Sequence, residues 1–300
     1  MSKVDLSVII LNFNTSELLD GALSSLEEID KDNFNFEVIV ADNGSKDGSI
    51  EMVKKKHPKV ILVDNKANLG FAAGNNRAVP KSRGRLVLFL NSDTIVPKET
   101  LPFMVDYMDR NLGVGISTCK LVLASGELDP DCHRGFPTPW NSLCYFSGLS
   151  KLFPKSVLFN SYHMGQLDMT KTHEIDACVG AFLLTRREVG EKVGWWDEDY
   201  FFYGEDLEFC YRVKNLGLKI MYVPQVFITH LKGASSGLRR ETAKITRVSP
   251  EVRRKVAKAS IDAMKIFYQK HYEDKYPKIL KWLIFVILGI KYQLRLRGIK

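Results

Sequence analysis

The sequence predicts an α/β protein built on a doubly wound, mostly parallel (mixed) sheet flanked by helices, with a basic helical extension at its C-terminal end. Short, continuously apolar runs at 6–11, 36–41, 60–64 and 86–90 alternate with stretches of helical pattern, as parallel strands covered on both faces do. Polar residues gather where those runs end, at Asn12-Phe13-Asn14-Thr15, Asp42-Asn43-Gly44-Ser45 and Asn91-Ser92-Asp93. Sheets of this kind bind ligands at the carboxyl ends of their strands. With 300 residues, 45% of them hydrophobic, the chain can bury a sizeable core in one large domain or two small ones.

In chain order, Leu6 to Leu11 reads as the first buried strand, and Asn12 to Thr15 as a turn. Thr15 or Ser16 suits the N-cap of a helix over 16–28. Phe36 to Ala41 is the second strand, with a helix following to about Lys56. Val60 to Asp64 is the third, and a Gly/Asn-rich loop and short helix cover 68–79. Leu86 to Leu90 is the fourth. A further strand falls at 114–123, while 124–172, with scattered Pro, Gly and aromatics, reads as loop or variable insertion. Ala177 to Thr185 is strand-like, a helix over 206–215 stops at Gly217, and a final strand spans Ile220 to Val223.

Charge is spread unevenly. The net charge is +8, yet residues 231–300 hold 18 Lys and Arg against 5 Asp and Glu, a surplus of +13 that leaves −5 for the rest. A basic tail of this kind implies an anionic partner, a membrane surface or nucleic acid. Its pattern is a basic amphipathic helix over roughly 250–272, a break at Tyr276-Pro277, and an apolar stretch at 279–290. That stretch is shorter than the about 20 residues a bilayer-spanning helix needs. Flanked by Lys278, Lys281, Lys291, Arg295, Arg297 and Lys300, it suits a helix lying on an anionic leaflet. Nucleic acid is not favoured, because no recognition motif is present and the aromatics cluster with acids. Five widely spaced cysteines without a Cys-x-x-Cys pair predict reduced thiols. The N-terminal residues run straight into a strand with no signal-peptide pattern, so the catalytic part is expected in the cytoplasm.

Chemistry concentrates in two acidic places. Residues 195–212 crowd carboxylates among large aromatic rings just ahead of a helix. A desolvated carboxylate there has its pKa raised toward the range where it accepts a proton from an alcohol. About a hundred residues upstream, Asp93 ends a central apolar strand, where a carboxylate is costly unless paired or bound to a cation. Mg²⁺ or Mn²⁺ held by one or two carboxylates plus substrate phosphates fits that position. His230, just beyond the last strand, is placed to complete such a metal shell. Asp42 at the end of the second strand can hydrogen-bond a nucleobase or ribose, although an Asx turn would use it equally well. The run Asn68-Leu69-Gly70-Phe71-Ala72-Ala73-Gly74-Asn75 lets backbone approach a ligand ahead of a helix N-terminus, and matches neither a dinucleotide nor a P-loop pattern. Trp195, Trp196 and Phe202 offer flat faces to a ligand and Gly180 permits its close approach, although plain core packing would use these residues equally well.

Taken together, these segments and the block Gly204-Glu205-Asp206-Leu207-Glu208-Phe209-Cys210-Tyr211-Arg212 resemble family 2 glycosyltransferases of the GT-A fold, in particular the bacterial rhamnosyltransferase-like branch, over roughly residues 5–235. The resemblance implies inverting transfer from a nucleoside diphosphate sugar (dTDP- or UDP-linked) to a saccharide or lipid-linked saccharide, with a divalent cation on the diphosphate. It implies Asp42 on the nucleobase, Asn12, Asn68, Gly70, Asn75, Asn91 and Ser92 around the nucleotide sugar, and Asp93 and His230 on the metal. Asp206 falls on the catalytic base and Glu205 on a supporting carboxylate. Asn91 departs from the family's Asp-x-Asp pattern, which leaves less negative charge at the metal. The expected organisation is a transferase domain over 1–235 and a membrane-surface extension over 236–300, peripheral on the inner face of the cell membrane. A non-catalytic nucleotide-sugar-binding module of the same fold is the alternative reading.

Overall fold

The first strand, β1 (Leu6–Asn12), is apolar on both faces and buried almost throughout, as a central parallel strand must be. In the computed structural model, which describes residues 4–30, 34–231 and 250–297, it leads to α1 (Ser16–Glu27), β2 (Phe36–Asp42), α2 (Ser49–Lys56), β3 (Ile61–Asp64), α3 (Phe71–Ala78) and β4 (Leu86–Asn91). A two-residue strand β5 (Thr94–Ile95), α4 (Thr100–Arg110) and the long β6 (Val114–Leu123) follow. Then come α5 (Pro139–Ser147), α6 (Leu149–Leu152), β7 (His173–Ile175), β8 (Phe182–Arg186), α7 (Arg187–Val193), α8 (Glu205–Asn215) and β9 (Lys219–His230). The last helices are α9 (Pro250–His271) and α10 (Lys278–Arg297).

The strands form one mixed sheet in the order β3-β2-β1-β4-β8-β6-β9-β5, with β7 also pairing β9. The half from β3 to β4 is parallel, as the apolar runs predict. β8 enters antiparallel between β4 and β6, and β6 and β9 are parallel to each other. The core lies on the two faces of β1, β4, β6 and β8, where Leu6, Ile9, Phe89, Phe182 and Leu184 are sealed from solvent. All five cysteines are free thiols buried in this fold.

Several elements differ from expectation. The strand expected over Ala177 to Thr185 begins only at Phe182, because residues 177–181 make other bonds: Ala177 bridges to Arg134, and Ala181 accepts from the Asn91 N–H. The last strand runs twelve residues rather than four, continuing past Pro224 with a shift of register against β6 between Cys119 and Lys120. The stretch 124–172 carries α5 and α6. Thr15 does not cap α1 with its side chain; Asp47 instead accepts from the Ser16 N–H at 2.8 Å. The expected domain boundary at 235/236, Lys232 and Lys300 lie outside the described residues. α9 packs Phe267, Tyr268 and Tyr272 against Tyr200 and Tyr211 of the upstream chain.

Gly70 ends the loop before α3 at φ +83°, and a Cβ there would run into the Phe201 carbonyl. The Phe71 N–H donates to that same carbonyl at 2.9 Å. Gly70→Ala is therefore expected to lower stability by about 1–3 kcal/mol from backbone strain, with the collision adding to it. The check is the urea midpoint at unchanged slope; an unaltered midpoint would refute the constraint.

Candidate functional site

The ends of β1 and β2 are knitted by side chains. Asn12 Nδ2 donates to Asp42 Oδ2 at 2.7 Å, and Asp42 Oδ1 accepts from the Ser45 N–H at 2.7 Å. The Thr15 hydroxyl donates to Asn12 Oδ1 at 2.6 Å and lies 2.9 Å from the Ser92 hydroxyl at the end of β4. Asn43 Nδ2 donates to the Gly70 carbonyl at 2.9 Å, and Asn68 Oδ1 accepts from the Gly70 N–H at 3.0 Å. Asn12, Asp42, Asn68, Gly70 and Ser92 thus share one rim.

At the same end of the sheet, Asp93 is 1% exposed, with Oδ1 3.4 Å from His230 Nε2. The meeting follows from register, since β5 pairs Thr94 with His230 and Leu231 donates its N–H to the Asp93 carbonyl. His230 Nδ1 lies 3.1 Å from Asp129 Oδ2. A carboxylate on Nδ1 fixes the imidazole with Nε2 directed at the Asp93 side, the arrangement that carboxylate–histidine–metal triads use. Burial opposes the charge on His230, but Asp129 and Asp93 outweigh it and push its pKa up to about 9. Asn91 Nδ2 is 3.5 Å from His230 Nε2, at the limit of a hydrogen bond. Among the described residues, no group of three or more His, Cys, Asp or Glu is arranged to hold a metal ion. Asp93 and His230 would supply two ligands, which fits Mg²⁺ or Mn²⁺ completed by phosphate oxygens and water.

The third cluster lies at the start of α8. Asp206 is 6% exposed, and its Oδ2 takes a 2.6 Å ion pair from Arg134 Nη2, while Oδ1 accepts from the Leu207 N–H at 2.7 Å. Arg134 Nη2 also donates to the Cys178 carbonyl at 3.1 Å. Burial works against the guanidinium charge, yet Asp206 holds its pKa well above the usual value. Glu205, buried beside it, has its pKa raised to about 8 by loss of solvent and then by the Asp206 charge. Its Oε2 has no hydrogen-bond partner among the described residues.

Residues 177–181 join the two acidic clusters. Cys178 holds Arg134 and hence Asp206, and Ala181 accepts from the Asn91 N–H at 3.2 Å. Three residues of chain span at most about 10 Å, so residues 178–181 are a short backbone link between Arg134, which holds Asp206, and the end of β4 next to Asp93.

Other expected residues take different places. Trp196 is 2% exposed and packs edge-on with Phe71 and Phe89 and against Phe209, so its rings belong to the core and offer no face to an acceptor. Trp195 covers Gly190, and its carbonyl accepts from Arg212 at 2.6 Å. The close approach that requires Gly180 is that of the Phe71 ring, which a Cβ would meet at 2.9 Å. Asn75 donates its Nδ2 to the Phe71 carbonyl of its own helix at 3.0 Å. Phe202 is half-buried against Tyr203; the most exposed ring of the loop is Phe201. Sequence reasoning missed Arg134 and Asp129, which sit in the stretch read as loop. The Asp129-Pro130 step, a helix-start signal, was the one cue for the second of them.

The profile of glycosyl transferase family 2 matches residues 7–194, more than half of the chain. The chain is a family 2 glycosyltransferase. This family inverts the anomeric centre and transfers sugar from nucleotide sugars. The transferase is 26% identical over 212 residues to N-acetylglucosaminyl-diphospho-decaprenol L-rhamnosyltransferase of Mycobacterium tuberculosis, covering 67% of this chain and 68% of the relative. It is 25% identical over 214 residues to rhamnosyltransferase WbbL of Escherichia coli, covering 68% and 76%. Its GT-A fold matches a mannosyltransferase of Pyrobaculum calidifontis solved with GDP-Man and Mn²⁺, at TM-score 0.59 and 18% identity over 99% of this chain and 73% of that one. TarS of Staphylococcus aureus matches at TM-score 0.54 and 19% identity, covering 85% of this chain and 65% of that one.

Glu205→Gln keeps the shape and removes the titration. A carboxyl that stays protonated to about 8 in the fold, while the unfolded chain ionises near about 4, loses folding free energy through that interval. The variant is expected to melt with wild type at about pH 4, to gain steadily over the wild type through that interval, and to keep a constant advantage at higher pH. Parallel melting curves across pH would exclude the assignment.

Proposed function

We propose that this transferase moves a deoxysugar, rhamnose, from a dTDP- or UDP-linked donor to a lipid-linked or growing surface saccharide, acting from the cytoplasm at the inner face of the cell membrane. The observation that supports the reading is the short backbone link 178–181, which bonds Arg134, the partner of Asp206, at Cys178 and bonds Asn91, two residues before Asp93, at Ala181. The names of the two rhamnosyltransferase relatives support the sugar, and that of the Mycobacterium tuberculosis relative supports the lipid-linked acceptor.

In this mechanism the nucleoside lies across the ends of β1 and β2, with the Asp42 carboxylate, braced by Asn12 and Ser45, toward the base. Asn68, Gly70 and Ser92 surround the donor. Asp93 and His230 would hold Mg²⁺ or Mn²⁺, which when bound would supply positive charge to the diphosphate leaving group. Asp206 takes the proton from the acceptor hydroxyl as its oxygen attacks the anomeric carbon from the face opposite the leaving group. Glu205, protonated near neutrality, leaves the two adjacent carboxyls with a single negative charge. Phe201, the most exposed ring of the loop before α8, offers the acceptor apolar surface near the base.

Asp206→Asn is expected to lower turnover by about 10²–10⁴-fold while donor affinity stays within about threefold. Asp93→Ala is expected to abolish the gain in donor affinity that Mn²⁺ confers and to leave metal-free binding unchanged. Calorimetric titration of dTDP-rhamnose and UDP-sugars with and without Mn²⁺, paired with product detection, tests both. Full activity of the Asp206→Asn variant sinks the base assignment.

A further inference from the structure

α10 is amphipathic in a particular way. Leu288 and the partly covered Ile284 and Phe285 face α9, where Phe285 meets Tyr268 at 6.1 Å. On the other side Ile279, Trp282, Leu283, Val286, Ile290 and Leu294 are exposed, spaced by three and four residues along one face. Among the described residues no helix is long and apolar enough to cross a membrane. A second exposed apolar group lies in the insertion, where Leu152, Val157 and Leu158 are each more than half exposed. The two segments touch, because Lys291 Nζ sits 3.6 Å over the ring of Phe146 in α5.

We propose that the outer face of α10 and the apolar residues of the insertion form one docking surface for an anionic phospholipid bilayer, with α10 lying in the interface. Charge selects this occupant. The segment from residue 231 onward carries a surplus of +13, which anionic headgroups neutralise, whereas a second copy seated on the same face would set two such surpluses against each other. Lys278 and Arg297 at the ends of α10 put cations at headgroup level beside the apolar stripe.

The surface is also fixed to the cleft. α9 packs Phe267 and His271 on Tyr211 of α8, the helix that begins with Glu205 and Asp206. The insertion contains Arg134, which holds Asp206, and its Phe136 packs on Tyr211 and Phe267. Docking would therefore set the cleft mouth at a defined height above the lipid. This consequence for turnover rests on the lipid-linked acceptor proposed above; the docking itself does not.

The test uses the full chain and vesicles of phosphatidylcholine with and without about 30 mol % phosphatidylglycerol. Wild type is expected to sediment with the anionic vesicles only, and less so at high salt. Trp282→Glu and Val157→Glu, both at exposed positions, are each expected to weaken this binding by about tenfold or more, with donor affinity measured without vesicles unchanged. Failure of wild type to bind anionic vesicles at about 0.1 M salt overturns the proposal, as does a dimer by sedimentation equilibrium that Trp282→Glu dissociates. Vesicle binding by a protein that transfers no rhamnose supports the docking surface and counts against the proposed reaction alone.

Discussion

The ion pair between Arg134 and Asp206 holds together parts of the chain that secondary structure leaves apart. Arg134 comes from the stretch after β6, Asp206 from the start of α8, and the Cys178 carbonyl from the approach to β8. Two charges taken out of water at this depth persist only if each satisfies the other, and losing one partner strands the remaining charge at a cost of about 3–5 kcal/mol. The pair therefore fixes the carboxylate to the sheet while leaving it at the rim. It also sets the electrostatics of its neighbour. Glu205, with Asp206 beside it and little solvent, keeps its proton to about 8, so the helix start does not carry two adjacent buried charges.

How the chain comes to link the two acidic clusters is a matter of topology. A wholly parallel sheet would bring every strand end to the ligand side and every return to the other. β8 runs antiparallel between β4 and β6, so the chain leading into it, 177–181, lies at the ligand side beside the end of β4. The opposite hand is supplied by β9, a twelve-residue strand that runs parallel to β6 and delivers His230 beside Asp93. One inserted strand and one overlong strand thus assemble the cluster.

The sequence made the parallel half legible because its strands, buried on both faces, read as unbroken apolar runs, and because each ends in polar residues. Asp93, His230, Asp206 and Glu205 were legible as chemistry for the same reason, being carboxylates and an imidazole set against apolar stretches. Arg134 and Asp129 were not. Their roles come from tertiary pairing across 72 and 101 residues, and nothing local marks a loop arginine as the partner of a distant aspartate. The aromatics misled in a related way. Trp195 and Trp196 look alike in sequence, yet the rings of Trp196 are enclosed by Phe71, Phe89 and Phe209, a distinction only packing can draw. The glycines at 70 and 180 were marked as sites of close approach, and they are; the approaching groups are Phe201 and Phe71 of the chain itself.

The loop between those tryptophans and Asp206 is held from several sides at once. Trp195 and Tyr203 have positive φ, at 60° and 71°, conformations that cost a bulky residue about 1–3 kcal/mol and persist only where the surroundings over-determine them. Arg212 donates to the carbonyls of Val193 and Trp195 and pairs with Glu208. Asn76 bonds both the N–H and the carbonyl of Trp196. Lys270 of α9 reaches Asp197 and Asp199 at 2.5 and 2.6 Å, and Phe201 is fastened to the start of α3 through the Phe71 N–H. In the proposed mechanism a hydroxyl can lose its proton to Asp206 only if acceptor and carboxylate are kept within hydrogen-bond reach, and a loop tied to α3, α8 and α9 offers that constancy where a free one would not. On that proposal α9 works together with the sheet, since one of the ties that keep the strained loop in place comes from it.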